Sequence, residues 1–221
     1  MKVANSKIGK SVVLIGAGGS GREVLEILKD LNKKRKPWDI LGFIDENEKL
    51  HGKTINGYPV LGGIDWLKIQ NPRPSCICTI NDCEPRKKVV QKLNRLGVEF
   101  VNAIHPSTYI GDSVHLGKDI IIYAGSLLTA NIEVGDHVHI NFSCGIGHDA
   151  VIGPYSTISG LVNINGNVRL GEGVFVGSGA TVIPEMSIGN WAVIGAGAVV
   201  VRDIPGKVVA VGVPARPIKT R

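Results

Sequence analysis

A glycine-rich loop near the start of the chain is the first segment whose spacing indicates chemistry. Residues 16–21, with the sequence GAGGSG, follow an apolar run and precede an amphipathic helix predicted over residues 22–31. A strand, a glycine turn and a helix in this order bind phosphate, because backbone N–H groups and the helix N-terminus attract an anion. We therefore expect a nucleotide diphosphate at Gly18, Gly19 and Ser20.

Two acidic residues follow the next predicted strand, over residues 40–44, and leave the kind of nucleotide open. In a complete dinucleotide fold an acid at the position of Asp45 binds the ribose of NAD. Only about 90 residues lie between the start of the first predicted strand and the repeat described below, which is enough for one mononucleotide half and a strand. We therefore predict one nucleotide, with Asp45 and Glu46 near its ribose or base. An NAD site and a purely structural glycine turn are the alternatives.

Composition argues against several classes of function. The 221 residues include 25 basic and 19 acidic ones, and the only dense basic run is at residues 33–36. This mild charge, without interleaved aromatic residues, predicts no nucleic-acid partner. Four cysteines without a C-x-x-C pair predict reduced thiols and no metal site. No long apolar run and no signal segment is visible, which predicts a cytoplasmic protein without a membrane span.

The chain from Ile104 to Val200 has a period of six residues. Every sixth residue in this span is Ile, Leu or Val, at seventeen positions in all, and the next residue is glycine at nine of them. We predict that these glycines form tight corners that need a permissive φ. Small or apolar residues two places earlier indicate a layered interior. Three hexads then close one coil of about 18 residues, and the span makes nearly six stacked coils without an inserted loop.

The residues before the repeat predict a small parallel sheet with two helices. Beyond the glycine-loop helix, the predicted elements are strands at residues 11–15, 40–44, 75–80 and 98–101 and a helix at about 84–96. The fold class is therefore a small Rossmann-like α/β domain over residues 1–103, followed by a parallel β-helix with a C-terminal tail over residues 104–221.

Seven segments of the sequence together carry a resemblance to a known family. They are GAGGSG at 16–21, FIDE at 43–46, TINDCEPR at 79–86, IHP at 104–106, NFSCGIGHD at 141–149, GNV at 166–168 and VGVPAR at 211–216. In order and spacing they resemble the bacterial nucleotide-sugar N-acetyltransferases of the PglD type and the related NeuD-like sialic acid O-acetyltransferases. The resemblance covers nearly the whole chain. It implies a left-handed β-helix, although the general rule for parallel crossovers predicts the opposite hand.

The resemblance also implies a catalytic pair. In this family a histidine followed by an acid is the general base, and His148 with Asp149 matches that pair. Acetyl transfer from a thioester to an amine or hydroxyl requires removal of a proton, which a neutral imidazole accepts near pH 7. The family match places Gly166 at the oxyanion. We favour His148 over the other histidines, because a histidine in a β-helix is more often a surface or ladder residue. His105 marks the entry to the prism, and no adjacent partner supports a role as base for three others, His115, His137 and His139.

Acetyl-CoA is the co-substrate that the resemblance implies, in a groove between neighbouring prisms of a homotrimer. Thr157, Ser178 and Ala196 match the family positions along that groove, although Thr157 stands where some members carry a second histidine. Asn141 is a candidate for orienting the base or the substrate, with corner geometry as its alternative. Asn81 and Ser20 depart from the family pattern in the sugar-nucleotide pocket, so the substrate can differ.

Three functions remain open from the sequence. The preferred one is N-acetylation of a UDP-linked amino sugar, with His148 as the base. The second is O-acetylation of sialic acid or another sugar. The third is a non-catalytic scaffold that binds a nucleotide sugar, which leaves the retained His148 and glycine loop unexplained.

Overall fold

The amino-terminal part of the molecule is an α/β domain. The computed structural model describes residues 9–34 and 36–221, so residue 35 of the basic run lies outside the described residues. The regular elements are β1 (Lys10–Ile15), α1 (Gly19–Lys34), β2 (Trp38–Ile44), β3 (Thr54–Ile55), β4 (Tyr58–Gly62), β5 (Ser75–Cys78) and α2 (Cys83–Arg95). Short 3-10 helices lie at Glu48–Leu50 and Ile64–Ile69.

The five strands form one sheet in the order β3-β4-β2-β1-β5, in which only the β3–β4 pair is antiparallel. The β3–β4 hairpin carries no strong alternation in the sequence and was not predicted. The strand predicted at residues 98–101 was wrong, because only one bridge forms there, between Phe100 and Cys76. Beyond it the chain turns towards the β-helix, where the Asn102 side chain bonds the Gly117 carbonyl and the Ile120 N–H.

The carboxyl-terminal part is a prism of short parallel strands in three faces. The first face contains β6 (Ala103–Ile104), β9 (Ile121–Ile122), β12 (His139–Ile140), β15 (Thr157–Ile158), β18 (Phe175–Val176), β21 (Val193–Ile194), β23 (Val208–Val211) and the antiparallel β24 (Arg216–Thr220). The second face contains β7 (Tyr109–Ile110), β10 (Leu127–Leu128), β13 (Gly145–Ile146), β16 (Asn163–Ile164), β19 (Thr181–Val182) and β22 (Val199–Val200). The third face contains β8 (His115–Leu116), β11 (Glu133–Val134), β14 (Val151–Ile152), β17 (Arg169–Leu170) and β20 (Ser187–Ile188).

The period of six is the period of these strands. Residues paired between neighbouring coils are 18 apart, as in Leu127 with Gly145 on the second face. The Ile, Leu or Val that ends each two-residue strand points inward and joins one continuous core with the small residues two places earlier. The predicted uninterrupted stack of nearly six coils is confirmed.

The predicted reason for the glycines after the repeat position was wrong. None of the nine has a positive φ; the left-handed position is two residues further on, where His137, Asp149 and Tyr155 take φ values of 61°, 59° and 60°. A Cβ at Gly147 would instead lie 2.7 Å from the backbone N of Gly166 in the next coil. A Cβ at Gly177 would lie 2.6 Å from the backbone N of Ala196, also in the next coil. These glycines allow neighbouring coils to stack closely.

The α/β domain packs on the first face of the prism. Ala103 and Ile121 of that face share an apolar cluster with residues of α1, β1 and β2. The two-residue strands begin at Ala103, and the domain boundary after residue 103 stays a prediction. No helix in the described part of the chain has the length and apolar character to cross a membrane.

Candidate active site

His148 lies on the edge of the prism between the second and third faces, directly after β13. Its side chain is 62% exposed, and Nδ1 lies 2.7 Å from an Asp149 carboxylate oxygen. Because an ionised carboxylate only accepts hydrogen bonds, Nδ1 carries the proton of the neutral ring. Among the described residues Nε2 has no hydrogen-bond partner, so its lone pair is free on the exposed side, which is the arrangement that a general base requires.

Asn131 is part of this site, and our sequence interpretation missed it. Its Nδ2 donates to the other carboxylate oxygen of Asp149 at 3.2 Å, one coil below. The hydrogen bond from His148 and then that from Asn131 lower the pKa of Asp149. The 18-residue spacing between Asn131 and Asp149 was the signal that would have identified the contact, since such residues stack along one edge.

Gly166 lies one coil above His148 on the same edge. A Cβ at this position would lie 2.7 Å from both Nε2 and Cε1 of the imidazole. Glycine therefore leaves the space into which the ring extends. Among the described residues the Gly166 N–H donates to no acceptor, so it is free for an oxygen of a bound substrate.

Three other histidines of the prism are paired with an acidic residue or buried. His115 is exposed and pairs with Glu133, 18 residues away. His137 is buried and bonds Asp119, also 18 residues away, at 2.8 Å. His139 is buried beneath the α/β domain. These pairings agree with the interpretation of these residues as ladder or surface residues rather than bases.

Thr157 does not lie in an open groove, so its expected contact with acetyl-CoA was wrong. It is 1% exposed on the first face, beneath the start of α2. Its hydroxyl donates to the Asn81 carbonyl at 2.8 Å and accepts from Arg86 at 2.9 Å. Docking of the α/β domain, which the six-residue period does not reveal, buries this position.

Three of the predicted contact residues lie on a different edge from His148. Ser178 and Ala196 are exposed and one coil apart on the edge between the first and second faces. Asn141 lies on that edge too, and its Oδ1 accepts from the adjacent Phe142 N–H at 2.8 Å. Within one chain Asn141 therefore lies on a different edge from His148, where Asn131 contacts Asp149 instead, and a role of Asn141 in orienting the base or the substrate stays a prediction.

The glycine loop follows β1 and approaches the same edge between the first and second faces. Gly16 has a φ of 111°, which favours glycine, and Gly18 and Gly19 are exposed. Ser20 Oγ lies 3.0 Å from the hydroxyl of Tyr123 in the prism. The two glycines keep their N–H groups near the surface, whereas Ser20 joins the loop to the β-helix.

Asp45 and Glu46 lie beside the loop but are bound to backbone amides. The Asp45 carboxylate accepts from the N–H of Ala17 at 2.8 Å and from that of Asn47 at 2.9 Å. Glu46 accepts from the Ile64 N–H at 3.0 Å. These carboxylates shape the crevice wall through the loops that they hold.

A crevice runs along the carboxyl ends of the parallel strands, where ligands of open α/β sheets bind. One part, of about 210 Å³, is lined by residues that include Gly16, Asp45 and Ile80. It shares Glu46 and Ile64 with an adjoining depression of about 560 Å³. The exposed Asn81 follows β5 at this end of the sheet. Together the two parts have the size of a small-molecule site.

Comparison with known proteins shows the class to which this fold and site belong. Residues 11–93 match the family described as the PglD N-terminal domain. The chain is 32% identical over 200 residues to the GDP-perosamine N-acetyltransferase of Escherichia coli O157:H7, covering 90% of this chain and 81% of that protein. The protein is therefore a sugar acetyltransferase.

Solved structures agree over almost the whole chain. A histidine-to-asparagine variant of perosamine N-acetyltransferase from Caulobacter crescentus, in complex with CoA and GDP-perosamine, is 34% identical with a TM-score of 0.88, covering 96% of this chain and 98% of that one. The acetyltransferase domain of PglB from Neisseria gonorrhoeae, in complex with acetyl coenzyme A, is 26% identical with a TM-score of 0.86, covering 95% of this chain and 100% of that one.

This chain belongs to the PglD-type family of left-handed β-helix acetyltransferases. The predictions of a Rossmann-like domain followed by a left-handed β-helix, and of an acetyltransferase with acetyl-CoA as its co-substrate, are confirmed.

Proposed function

We propose that this enzyme transfers the acetyl group of acetyl-CoA to the amine of a nucleotide-linked amino sugar, with His148 as the general base. The observation that carries the proposal is the free Nε2 of an exposed imidazole whose Nδ1 is held by Asp149. In the reaction the amine nitrogen attacks the thioester carbonyl carbon, and Nε2 accepts the proton that the nitrogen loses. The tetrahedral intermediate then breaks its carbon–sulfur bond. CoA thiolate leaves and takes the proton that Nε2 had accepted, which returns the imidazole to its neutral form, and the amide remains.

The negative charge on the thioester oxygen needs a donor during this step. Gly166 supports that role because its N–H has no acceptor among the described residues and it lies directly above the imidazole. A donor fixed in position stabilises an oxyanion without reorganisation during the reaction. We assign the oxyanion contact to this N–H.

We propose a nucleoside diphosphate sugar in the crevice, with its diphosphate at Gly18 and Gly19. The two relatives with 32% and 34% identity are named for or bound to GDP-perosamine, which favours a guanine nucleotide over the UDP of the hypothesis that followed from the family resemblance. The exposed side chain of Asn81 is available to the ligand at the end of β5. Asp45 and Glu46 line the crevice and also accept hydrogen bonds from backbone amides, which supports their predicted place near the ribose or base.

We further propose a homotrimer in which each active site lies between two prisms. Within one chain His148 lies on one edge of the second face, whereas Ser178, Ala196 and the glycine loop adjoin the other. If a second prism packs against this face, the edge of one chain that carries His148 meets the edge of the other chain that carries Ser178 and Ala196. The outward Tyr109 and Leu127 of the second face, 60% and 44% exposed, support its burial in an assembly. A cytoplasmic location stays a prediction.

The test is a thiol-release assay with acetyl-CoA and a panel of acceptors. The panel contains GDP-linked and UDP-linked 4-amino sugars, free sialic acid and CMP-linked sialic acid. We expect turnover with an amino sugar, fastest with the GDP-linked one, and a product that carries one acetyl group on nitrogen. Turnover with sialic acid alone would replace the proposal by O-acetylation, and no turnover with any acceptor would favour a scaffold.

A further inference from the structure

Arg86 is a buried charged residue outside the edge that carries His148. It lies in the first turn of α2, its side chain is 0% exposed, and burial lowers its pKa. A buried charge is costly unless its donors are paired. Among the described residues its Nε has no partner, so the two terminal nitrogens provide the pairing.

The two terminal nitrogens of Arg86 together bond both domains. Nη1 lies 2.9 Å from the carbonyl oxygen of Ile80 and 3.0 Å from that of Asn81, both at the crevice end of β5. Nη2 lies 2.6 Å from the carbonyl oxygen of Tyr155 and 3.0 Å from that of Ser156, both in the prism. One rigid planar group therefore sets the separation between the crevice segment and a prism coil.

A second contact connects the same two segments. The Thr157 hydroxyl accepts from Nη2 of Arg86 at 2.9 Å and donates to the Asn81 carbonyl at 2.8 Å. The Asn81 carbonyl oxygen thus accepts one bond from each domain. The backbone that carries the exposed Asn81 side chain is therefore held on the side away from solvent.

His139 supports Arg86 from the prism side. Its Nδ1 lies 3.0 Å from Nη1 of Arg86, and its Nε2 lies 3.0 Å from the carbonyl oxygen of Cys78, the last residue of β5. Because arginine only donates, Nδ1 must accept, and Nε2 carries the proton. Burial and the neighbouring guanidinium lower the pKa of His139 well below its usual value, which keeps the ring neutral.

We propose that Arg86 is a positioning residue for the nucleotide sugar, holding residues 80 and 81 in the crevice at a fixed distance from the prism that carries the base. This inference rests on the proposed function, since it assigns the crevice to the nucleotide sugar. Ile80 lines the crevice directly, so a shift of its backbone changes the crevice itself. Arg86 is fully buried, so it acts on the nucleotide sugar through the segment that it holds.

Lys87 provides a matched control on the same helix. Its ammonium also crosses the interface, where it pairs with Glu172 and lies 5.6 Å from the centroid of the Tyr155 ring. Among the described residues its polar contacts do not include the crevice segment. Both residues therefore connect the two domains, but of the two only Arg86 bonds residues 80 and 81.

The test compares Arg86→Lys, Arg86→Met and Lys87→Met in the full-length protein. Lysine keeps the charge but lacks the planar fork, so it cannot bond both domains at once. We expect both Arg86 variants to raise the KM for the nucleotide sugar at least about tenfold, as expected for a misplaced substrate, with the KM for acetyl-CoA within about twofold of wild type. Lys87→Met should change neither constant by more than about twofold.

Amide hydrogen exchange without substrate provides a readout that does not depend on turnover. We expect faster exchange at residues 79–83 in Arg86→Lys and wild-type exchange there in Lys87→Met. If Arg86→Met does not fold, Arg86→Lys decides the question. The inference would be overturned if exchange at residues 79–83 were unchanged in Arg86→Lys, or changed equally in Arg86→Lys and Lys87→Met. It would also be overturned if the Arg86 variants raised the KM for the nucleotide sugar and that for acetyl-CoA equally. Absence of turnover in the wild type would instead overturn the proposed function, with the exchange result still deciding the role of Arg86.

Discussion

At the scale of single residues, the prism edge orients one imidazole through contacts between coils. Asn131, Asp149 and His148 form a chain of hydrogen bonds, and Gly166 leaves room for the ring above it. The resemblance of the sequence to its family predicted three of these four residues. Asn131 was not predicted, because its partner Asp149 is 18 residues away in the sequence. The contact follows only when the length of one coil, also 18 residues, is applied to this pair.

Gly166→Ala tests whether the space above the imidazole matters. The added Cβ would lie 2.7 Å from Nε2, so the ring must rotate away from its position. We expect kcat to fall at least about tenfold, because small displacements of a catalytic group are costly. The thiol-release assay measures this, with circular dichroism as the control for folding. A folded variant with wild-type kcat would show that the ring does not act from this position.

Asp119 predicts a pH dependence of stability. It is fully buried, and burial raises its pKa from 3.8 to about 6 despite hydrogen bonds from His137 and the Cys78 N–H. The folded state therefore binds a proton more tightly than the unfolded state, and this stabilisation is complete below about pH 4 and lost as the pH rises through about 6.

The variant Asp119→Asn removes this titration. Urea unfolding of both proteins between pH 4 and pH 7 measures the effect. Relative to the variant, the wild type should lose up to about 3 kcal/mol of unfolding free energy over this range, since each pKa unit corresponds to about 1.4 kcal/mol. Parallel pH profiles for the two proteins would contradict the assignment.

At the scale of elements, the six-residue pattern specified the prism, whereas its contacts with the α/β domain had no periodic signal. The aliphatic residue of each hexad predicted the inward positions, and β1, α1, β2, β5 and α2 followed from runs and turn residues. Thr157 was misplaced because its burial depends on Arg86, which is 71 residues away. The two residues lie in different domains, so neither the six-residue repeat nor the pattern of the α/β domain predicts their contact.

Gly177→Ala tests the revised reason for the glycines after the repeat position. Its φ is not positive, so alanine is compatible with the backbone, but the Cβ would lie 2.6 Å from the N of Ala196 in the next coil. We expect a loss of about 1–3 kcal/mol of unfolding free energy, as for other overpacked sites. Ser178→Ala, at the exposed neighbour, should change stability by less than about 0.5 kcal/mol. Equal stability of the two variants would contradict the packing explanation.

At the scale of the whole molecule, His148 lies on a different prism edge from Ser178 and Ala196. This separation predicts that each active site is formed by two chains. Leu127→Glu places a charge on the exposed apolar part of the second face. We expect this variant to be monomeric by light scattering and to lose most of its activity, because burying an unpaired charge in an interface is strongly unfavourable. Glu133→Lys, on the third face, is the control and should keep the wild-type mass. A trimeric, active Leu127→Glu variant would move the interface to another face.

The most direct measurement of the central claim is the turnover of His148→Ala with acetyl-CoA and the preferred nucleotide-linked amino sugar. The side chain is exposed on the prism edge, so its removal should leave the melting temperature and oligomeric mass unchanged. If Nε2 accepts the proton of the attacking amine, kcat falls at least about 10²-fold, the usual contribution of a general base. A folded variant with kcat within a few-fold of wild type would show that another group removes the proton.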